Sequence, residues 1–590
     1  GLGDVYKRQP YTYNNIYSGD KYDATLEENG WNAEGFDDSK WDPVQVTEAP
    51  APLLAAQQMP GIRITEELQP VSMKKFSDKL YVFSFEKNFA GLSRLKVKGA
   101  PGTRITLKHG ELLKTDGRLE QGNIDVYYHP VKPGEVFQMD VFTLKGTGEE
   151  EIFMPSFAYH GFQHVEVESS APVVLTKESL TGLFMHTAVE PVGSFSCSDP
   201  LLNKIWKATM EAYRSNLHSI PTDCPQREKN GWTADAHVAI DLGLLGFDAI
   251  TLYEKWMNDF CDEQKDNGIL PCIIPTSVWG YDWANGVDWT SAVAIIPWEI
   301  YRFYGDTTLL RRMYGPIKKY VSYIESISTN HLTDWGLGDW VPVRSKSNIT
   351  LTSSIYYYTD VCILAKAARL FGYAEDASYY NTLAQKIKEA INTSFLNKET
   401  GIYAEGTQTE LAMPLYWGIV PEEDKKKVAA RLHELVEKDD YHLDVGLLGS
   451  KALLSAMSDN GYAETAYKVA SQDTYPSWGY WIKQGATTLH ENWRTDVVID
   501  NSYNHIMFGE IGAWLYKGLG GIQIDEKHPG FKHILLKPFF PADMNELTIR
   551  YNTPYGWLNI NWVRQTNDCI RYTIDIPAGT SATFVPFTMP

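Results

Sequence analysis

The sequence predicts a multidomain fold of α and β, in which a helical domain is flanked on both sides by β-sandwich domains. Apolar residues alternate with polar ones from about residue 60 to 175, and that alternation returns after about residue 521. From about residue 198 to 520 the apolar spacing is helical instead. At 590 residues the chain is also too long for a single hydrophobic core.

In "SRLKVKG", Leu95 and Val97 alternate with Arg94, Lys96 and Lys98. Ile105 and Leu107 repeat the pattern in "RITLKHG", as do Val165 and Val167 in "FQHVEVES". Period-two runs between glycine- and proline-rich turns are half-buried antiparallel strands, so residues 60–175 are assigned to a β-sandwich. Residues 10–59 read as the tail of a truncated N-terminal β-domain. The opening "GLGDVYKRQ", residues 1–9, resembles a translated sequencing adapter and is set aside as an artefact. The chain is read as a fragment cut at both ends.

The first helix opens on Asp199-Pro200, an N-cap followed by proline at the first helical position. Leu202, Ile205, Trp206 and Met210 then fall at helical intervals. Further segments of this kind run to "NHIMFGEIGAWLYKGLGG", and several are apolar nearly all round, as an inner layer requires. A closed double ring of roughly six inner and six outer helices over residues 176–520 accounts for them. An α-solenoid is the competing arrangement, but the sequence has no repeating unit. "HILLKP", "ELTIRYNTPYGWLNINWVRQ" and "CIRYTIDIP" return to strands, giving a C-terminal β-sandwich over 521–590, read as incomplete.

Composition narrows the function. The formal charge of −20 disfavours nucleic acid and anionic membrane as partners, because their phosphates are repelled. No apolar run is long enough to span a bilayer. The six cysteines are scattered without a C-x-x-C pair, and there is no H-E-x-x-H spacing, so neither metal nor cofactor is expected. The 18 Trp and 35 Tyr fit either large cores or sugar-stacking surfaces.

The stretch "PTDCPQREKNGWTADAHVAI" crowds Asp223, Arg227, Glu228, Trp232 and Asp235 at the entrance of a helix. A capped helix start with solvated charges is the plain reading of such carboxylates. Their density beside an Arg and a Trp favours sugar chemistry. Carboxylate and guanidinium groups bind hydroxyls in pairs, an indole covers the apolar side of a pyranose, and glycoside hydrolysis needs two carboxyl groups. The second comes from "QGATTLHENWRTDVVIDNSYNHIMFGE", where Glu491 lies between His490 and Trp493 and His505 follows. The loops "DWANGVDWTSA" and "LTDWGLGDWVP" add Trp283, Asp288, Trp289, Asp339 and Trp340. Trp232, Trp289 and Trp340 are expected to keep part of their indole surface accessible.

The motifs "DCPQREKNGWTADA", "GVDWTSAVAIIPWEIYRFYGD", "LGDWVP", "GATTLHENW" and "NSYNHIMFGEIGAWLYKGLGG" resemble, in that order, those of glycoside hydrolase family 78, the bacterial α-L-rhamnosidases. Upstream stretches such as "EKNFAGLSRLKVKGAPGTRITLKHGELL" resemble the accessory β-domains of that family. The resemblance implies an (α/α)6 barrel and exo-acting, inverting release of terminal α-L-rhamnose. It implies Glu228 as general acid and Glu491 as general base. Asp223, Arg227, Trp232, Asp235, Trp289, Trp340 and His505 become substrate-binding residues. Ala234 stands where the family often has Gly, and His490 where it often has Trp. Hydrolysis of another sugar on the same barrel, and non-catalytic carbohydrate binding, are the alternatives. The expected partner is a rhamnoside. A periplasmic or secreted location is the expectation, with a cytoplasmic one as the alternative.

Overall fold

A computed structural model describes residues 9–43, 46–49, 51, 53–124, 136–566 and 569–585. The adapter-like start, apart from Gln9, lies outside them. The chain divides into two compact units. One holds the chain up to Ala188 together with Pro225–Glu228 and Val498–Ser502. The other holds Val189–Cys224, Lys229–Val497 and the chain from Tyr503 onward.

The first unit is built on a ten-stranded sheet among its described residues. Its spine is the strand Leu80–Val97, which changes partners along its length. Residues 80–84 pair with Ser72–Ser77 on one side and with 164–168 on the other. Farther along, residues 91–95 pair with 180–184, and 95–97 with Glu151–Phe153. The change comes at Gly91, which has φ +156 and whose missing Cβ would lie 1.9 Å from the Leu183 carbonyl oxygen, so only glycine fits. Leu95, Val97, Ile105, Leu107, Val165 and Val167 are all buried, as their alternation predicts, around Phe83, Phe85, Phe89 and Phe162. Two boundaries differ from those read in the sequence. The strands Tyr11–Asn15 and Gly19–Asp23 join this same sheet through Met139–Thr143, and Leu180–Thr187 extends it past residue 175. Alternation marks a strand but carries no information about which strand it will pair with.

The second unit is mainly helical. Asp199 caps Pro200–Ser215 by accepting the Leu201 N–H at 2.8 Å, as the Asp-Pro entry predicts. Helices that are buried nearly all round contact one another in succession. Ile240–Gly246 meets Ala292–Tyr304, which meets Ile349–Phe371, followed by Gln408–Tyr416, Leu447–Asp459 and Glu510–Trp514. The last of these returns to Ile240–Gly246. Amphipathic partners such as Thr308–Ile327, Ala374–Phe395 and Glu422–Lys438 each pack beside the buried helix that precedes them. Besides the short hairpin of Leu396–Asn397 with Ile402–Tyr403, the unit carries two further small sheets among its described residues. Gly193–Cys197, just before the helices, pairs with Glu546–Thr553, which continues to Gly556–Thr566 and Cys569–Asp575. Ile522–Ile524, His533–Leu536 and Ser581–Phe584 form the other.

Candidate active site

The charge-rich stretch at 221–232 is a loop whose ends belong to the helical unit. Asp223 is buried and closes it. Its Oδ1 accepts the Asn230 N–H at 2.9 Å, its own N–H donates to the Asn230 carbonyl at 3.0 Å, and Cys224 Sγ donates to Oδ2 at 2.8 Å. Gly231 follows because the chain runs hard against the extended segment around Ile274. Ile274 N–H donates to the Gly231 carbonyl at 2.9 Å, and a Cβ at 231 would lie 2.1 Å from the Ile274 oxygen. The helix Thr233–Val238 then begins, breaks at Ala239 and resumes as Ile240–Gly246. Asp235, in the first turn, is buried with Oδ1 3.4 Å from His505 Nδ1. His237 Nε2 donates to the Asp288 carbonyl at 2.8 Å. Burial pushes that imidazole down to about 4, so it is neutral at physiological pH.

The middle of the loop belongs to the β-rich unit. There Arg227, with a side chain only 2% exposed, forks between two carboxylates: Nη1 donates to Asp500 at 2.8 Å and Nη2 to Glu228 Oε1 at 2.9 Å. The Tyr17 hydroxyl donates to the Glu228 carbonyl at 3.1 Å, and Gln226 Nε2 donates to Ser502 Oγ at 2.6 Å. The acid expected from the sequence is thus oriented by its own neighbour. Asp500 was not singled out, because a link across 273 residues leaves no local pattern.

Two buried aspartates hold the tryptophan loops of the helical unit. Asp288 accepts the N–H groups of Leu337 at 3.1 Å and Gly338 at 2.8 Å; burial pushes its carboxyl up to about 7 against those bonds. Asp339 accepts from Gly446, Leu448 and Gly449 at 2.8, 2.8 and 3.0 Å, capping Leu447–Asp459. The indoles differ. Trp340 is 51% exposed and Trp232 is half-buried, whereas Trp289 is 3% exposed and packs in the core, contrary to expectation. Trp289 sits inside the one-turn helix Val287–Thr290, which is buried throughout, while Trp340 stands on an open loop. Trp283, which the sequence placed on one of these loops, is 52% exposed, lies 6.0 Å from Trp232 and stacks on Trp279 at 5.0 Å; Trp279 is a ring the sequence pattern does not single out.

Glu491 is half-buried on a loop seated on aromatic rings, again in the helical unit. Trp493 stacks on Trp481 at 4.7 Å and donates from Nε1 to the Val445 carbonyl at 2.8 Å, while Trp481 Nε1 donates to the Trp493 carbonyl at 3.0 Å. The His490 ring lies 4.6 Å from Tyr503, edge to face, and 5.2 Å from Trp481. Burial pushes its imidazole down to about 3. The Thr488 hydroxyl donates to the Tyr503 carbonyl at 2.6 Å, and His505 N–H to the Leu489 carbonyl at 2.9 Å, so the Glu491 and His505 segments are tied together.

Comparison with known proteins gives the family of the chain. The family model for the bacterial alpha-L-rhamnosidase 6 hairpin glycosidase domain matches residues 190–519. Models for the concanavalin-like, N-terminal and C-terminal domains of the same enzymes match 74–186, 6–66 and 521–588. An alpha-L-rhamnosidase of Streptomyces avermitilis is 30% identical over 97% of this chain and 55% of its own length; one of Alteromonas sp. is 28% identical over 98% and 63%. Among solved structures, the alpha-L-rhamnosidase from Dictyoglumus thermophilum superposes with a TM-score of 0.91 at 36% identity, covering 98% of this chain and 64% of that one. The Streptomyces avermitilis alpha-L-rhamnosidase complexed with L-rhamnose superposes with a TM-score of 0.90 at 29% identity, covering 98% and 55%. The chain therefore spans between half and two thirds of the length of these relatives. It belongs to the bacterial α-L-rhamnosidase family.

Proposed function

We propose that this chain hydrolyses terminal α-L-rhamnosides with inversion, Glu228 acting as general acid and Glu491 as general base. The observation that carries the reading is the L-rhamnose held by the Streptomyces avermitilis relative, whose fold this chain shares along 98% of its length. In this reading Glu228 gives its proton to the glycosidic oxygen as the C1–O bond breaks. Glu491 takes a proton from the water whose oxygen attacks C1 from the opposite face, leaving β-L-rhamnose and the free alcohol. Two carboxyl groups suffice for this chemistry. Arg227 holds the Glu228 carboxyl in one orientation. Asp223, Asp235, His505, the half-buried ring of Trp232 and the exposed ring of Trp340 bind the sugar, and Trp289 supports them from the core. The helices are read as an (α/α)6 barrel, supported by the cyclic succession of contacts among the buried helices.

The test is hydrolysis of aryl and alkyl α-L-rhamnosides followed by NMR, with β-L-rhamnose expected as the first product. Glu228→Ala should slow an alkyl rhamnoside far more than a dinitrophenyl one, whose leaving group barely needs a proton. Glu491→Ala should lose turnover on both and be accelerated by azide, giving a β-rhamnosyl azide. Equal losses on both substrates in Glu228→Ala would refute the assignment of the acid.

A further inference from the structure

Glu111 lies in the β-rich unit at the end of the strand Arg104–Gly110 and is 3% exposed. A buried carboxylate must have its oxygens engaged. Here side-chain amides engage them: Asn88 Nδ2 donates to Oε1 at 2.8 Å, and Asn123 Nδ2 and Gln226 Nε2 each donate to Oε2 at 3.0 Å. Two of these amides use their second hydrogen on the same distant segment. Gln226 Nε2 also donates to Ser502 Oγ at 2.6 Å, and Asn123 Nδ2 to the Asn501 carbonyl at 3.1 Å, while Asn501 N–H returns to the Asn123 carbonyl at 2.9 Å.

These bonds converge on one ion pair. Gln226 directly precedes Arg227, and Asn501 and Ser502 directly follow Asp500, the residues whose side chains meet at 2.8 Å. Glu111 thus grips the chain on both sides of the pair that aims Arg227, and Arg227 in turn holds Glu228. We infer that Glu111 is a positioning residue for general-acid catalysis: it fixes the Arg227–Asp500 pair through Gln226 and Asn123, and so sets the direction of the Glu228 carboxyl. The inference rests on the proposed role of Glu228. It gives the β-rich unit a part in catalysis, because the grip on the acid's segment is built from that unit's own strand end.

The experiment is Glu111→Gln in the whole chain, assayed on a dinitrophenyl and an alkyl α-L-rhamnoside. The variant keeps the shape but turns an amide toward amide donors. The alkyl substrate should lose about tenfold in kcat, the effect of losing one charge-assisted hydrogen bond, with KM steady. The dinitrophenyl substrate should change less than about twofold, since it bypasses the acid. Gln226→Met, which cuts the link but leaves Glu111 its two Asn donors, should reproduce the split and covers the case in which Glu111→Gln fails to fold. Equal losses on both substrates, or no loss on either, overturn the inference. If Glu228→Ala itself shows no dependence on leaving group, the reading of Glu228 has failed, which is a separate result.

Discussion

The segments carrying Glu228 and Glu491 are held by opposite means. Around Glu228 the restraints are directional and polar: the Asp223–Asn230 clasp, the Arg227 fork, and a glycine pressed against a carbonyl. Around Glu491 they are mainly rings, with Trp481, Trp493, Phe508, His490 and Tyr503 in mutual contact and the indole N–H groups bonded to backbone. The difference suits the proposed tasks. A proton donor must point along one line to one oxygen, whereas a base that receives its proton from a small, mobile water needs above all a firm seat.

Four substitutions sharpen the contrast, from the largest effect to the smallest. Trp493→Ala empties the centre of the aromatic seat and should cost about 3–5 kcal/mol of stability, read from denaturant unfolding. Gly231→Ala drives a methyl into the Ile274 carbonyl and should cost about 2 kcal/mol by the same measurement, showing that the polar loop is limited by backbone contact. Arg227→Lys should leave the melting temperature nearly unchanged while kcat/KM falls roughly tenfold, because an ammonium cannot fork between Asp500 and Glu228. If the melting temperature falls instead and kcat/KM holds, the polar loop is structural and the contrast collapses.

The smallest effect is a pH dependence. His490 is held down at about 3 by burial, against an ordinary value of 6.5. Between those values the unfolded chain binds a proton that the native state refuses, so stability is lost as pH falls through that window. On going from pH 8 to pH 6 the wild type should lose about 0.8 kcal/mol relative to His490→Phe, which has nothing to titrate. Parallel unfolding curves for the two proteins across that range would show that His490 is not the buried neutral base described here.

Much of this was legible in the sequence, and the misses share a cause. Asp199-Pro200, the alternation through Val165 and Val167, and the dense charges at 223–235 are local signals, and each appears where it was read. The pairing of Gly19–Asp23 with the strand Met139–Thr143 and the Arg227–Asp500 bond join residues more than a hundred positions apart, which local patterns cannot register. Trp289 and Trp340 occupy similar Gly/Asp-rich stretches. A single helical turn buries one and leaves the other open, and composition does not reveal that turn.

The two buried aspartates also bear on how members of this family can be recombined. Asp288 belongs to the amides of Leu337 and Gly338, and Asp339, the very next residue, belongs to those of Gly446, Leu448 and Gly449. The loops are therefore linked like a chain of handholds, each reaching forward to the next. A chimera joined anywhere between residues 290 and 335, or between 341 and 445, takes an aspartate from one parent and the amides it grips from another. Loop exchange meant to alter specificity should travel in consecutive blocks with both hands included, and single-loop grafts should give slack, poorly shaped sites even when every sugar-contacting side chain is retained.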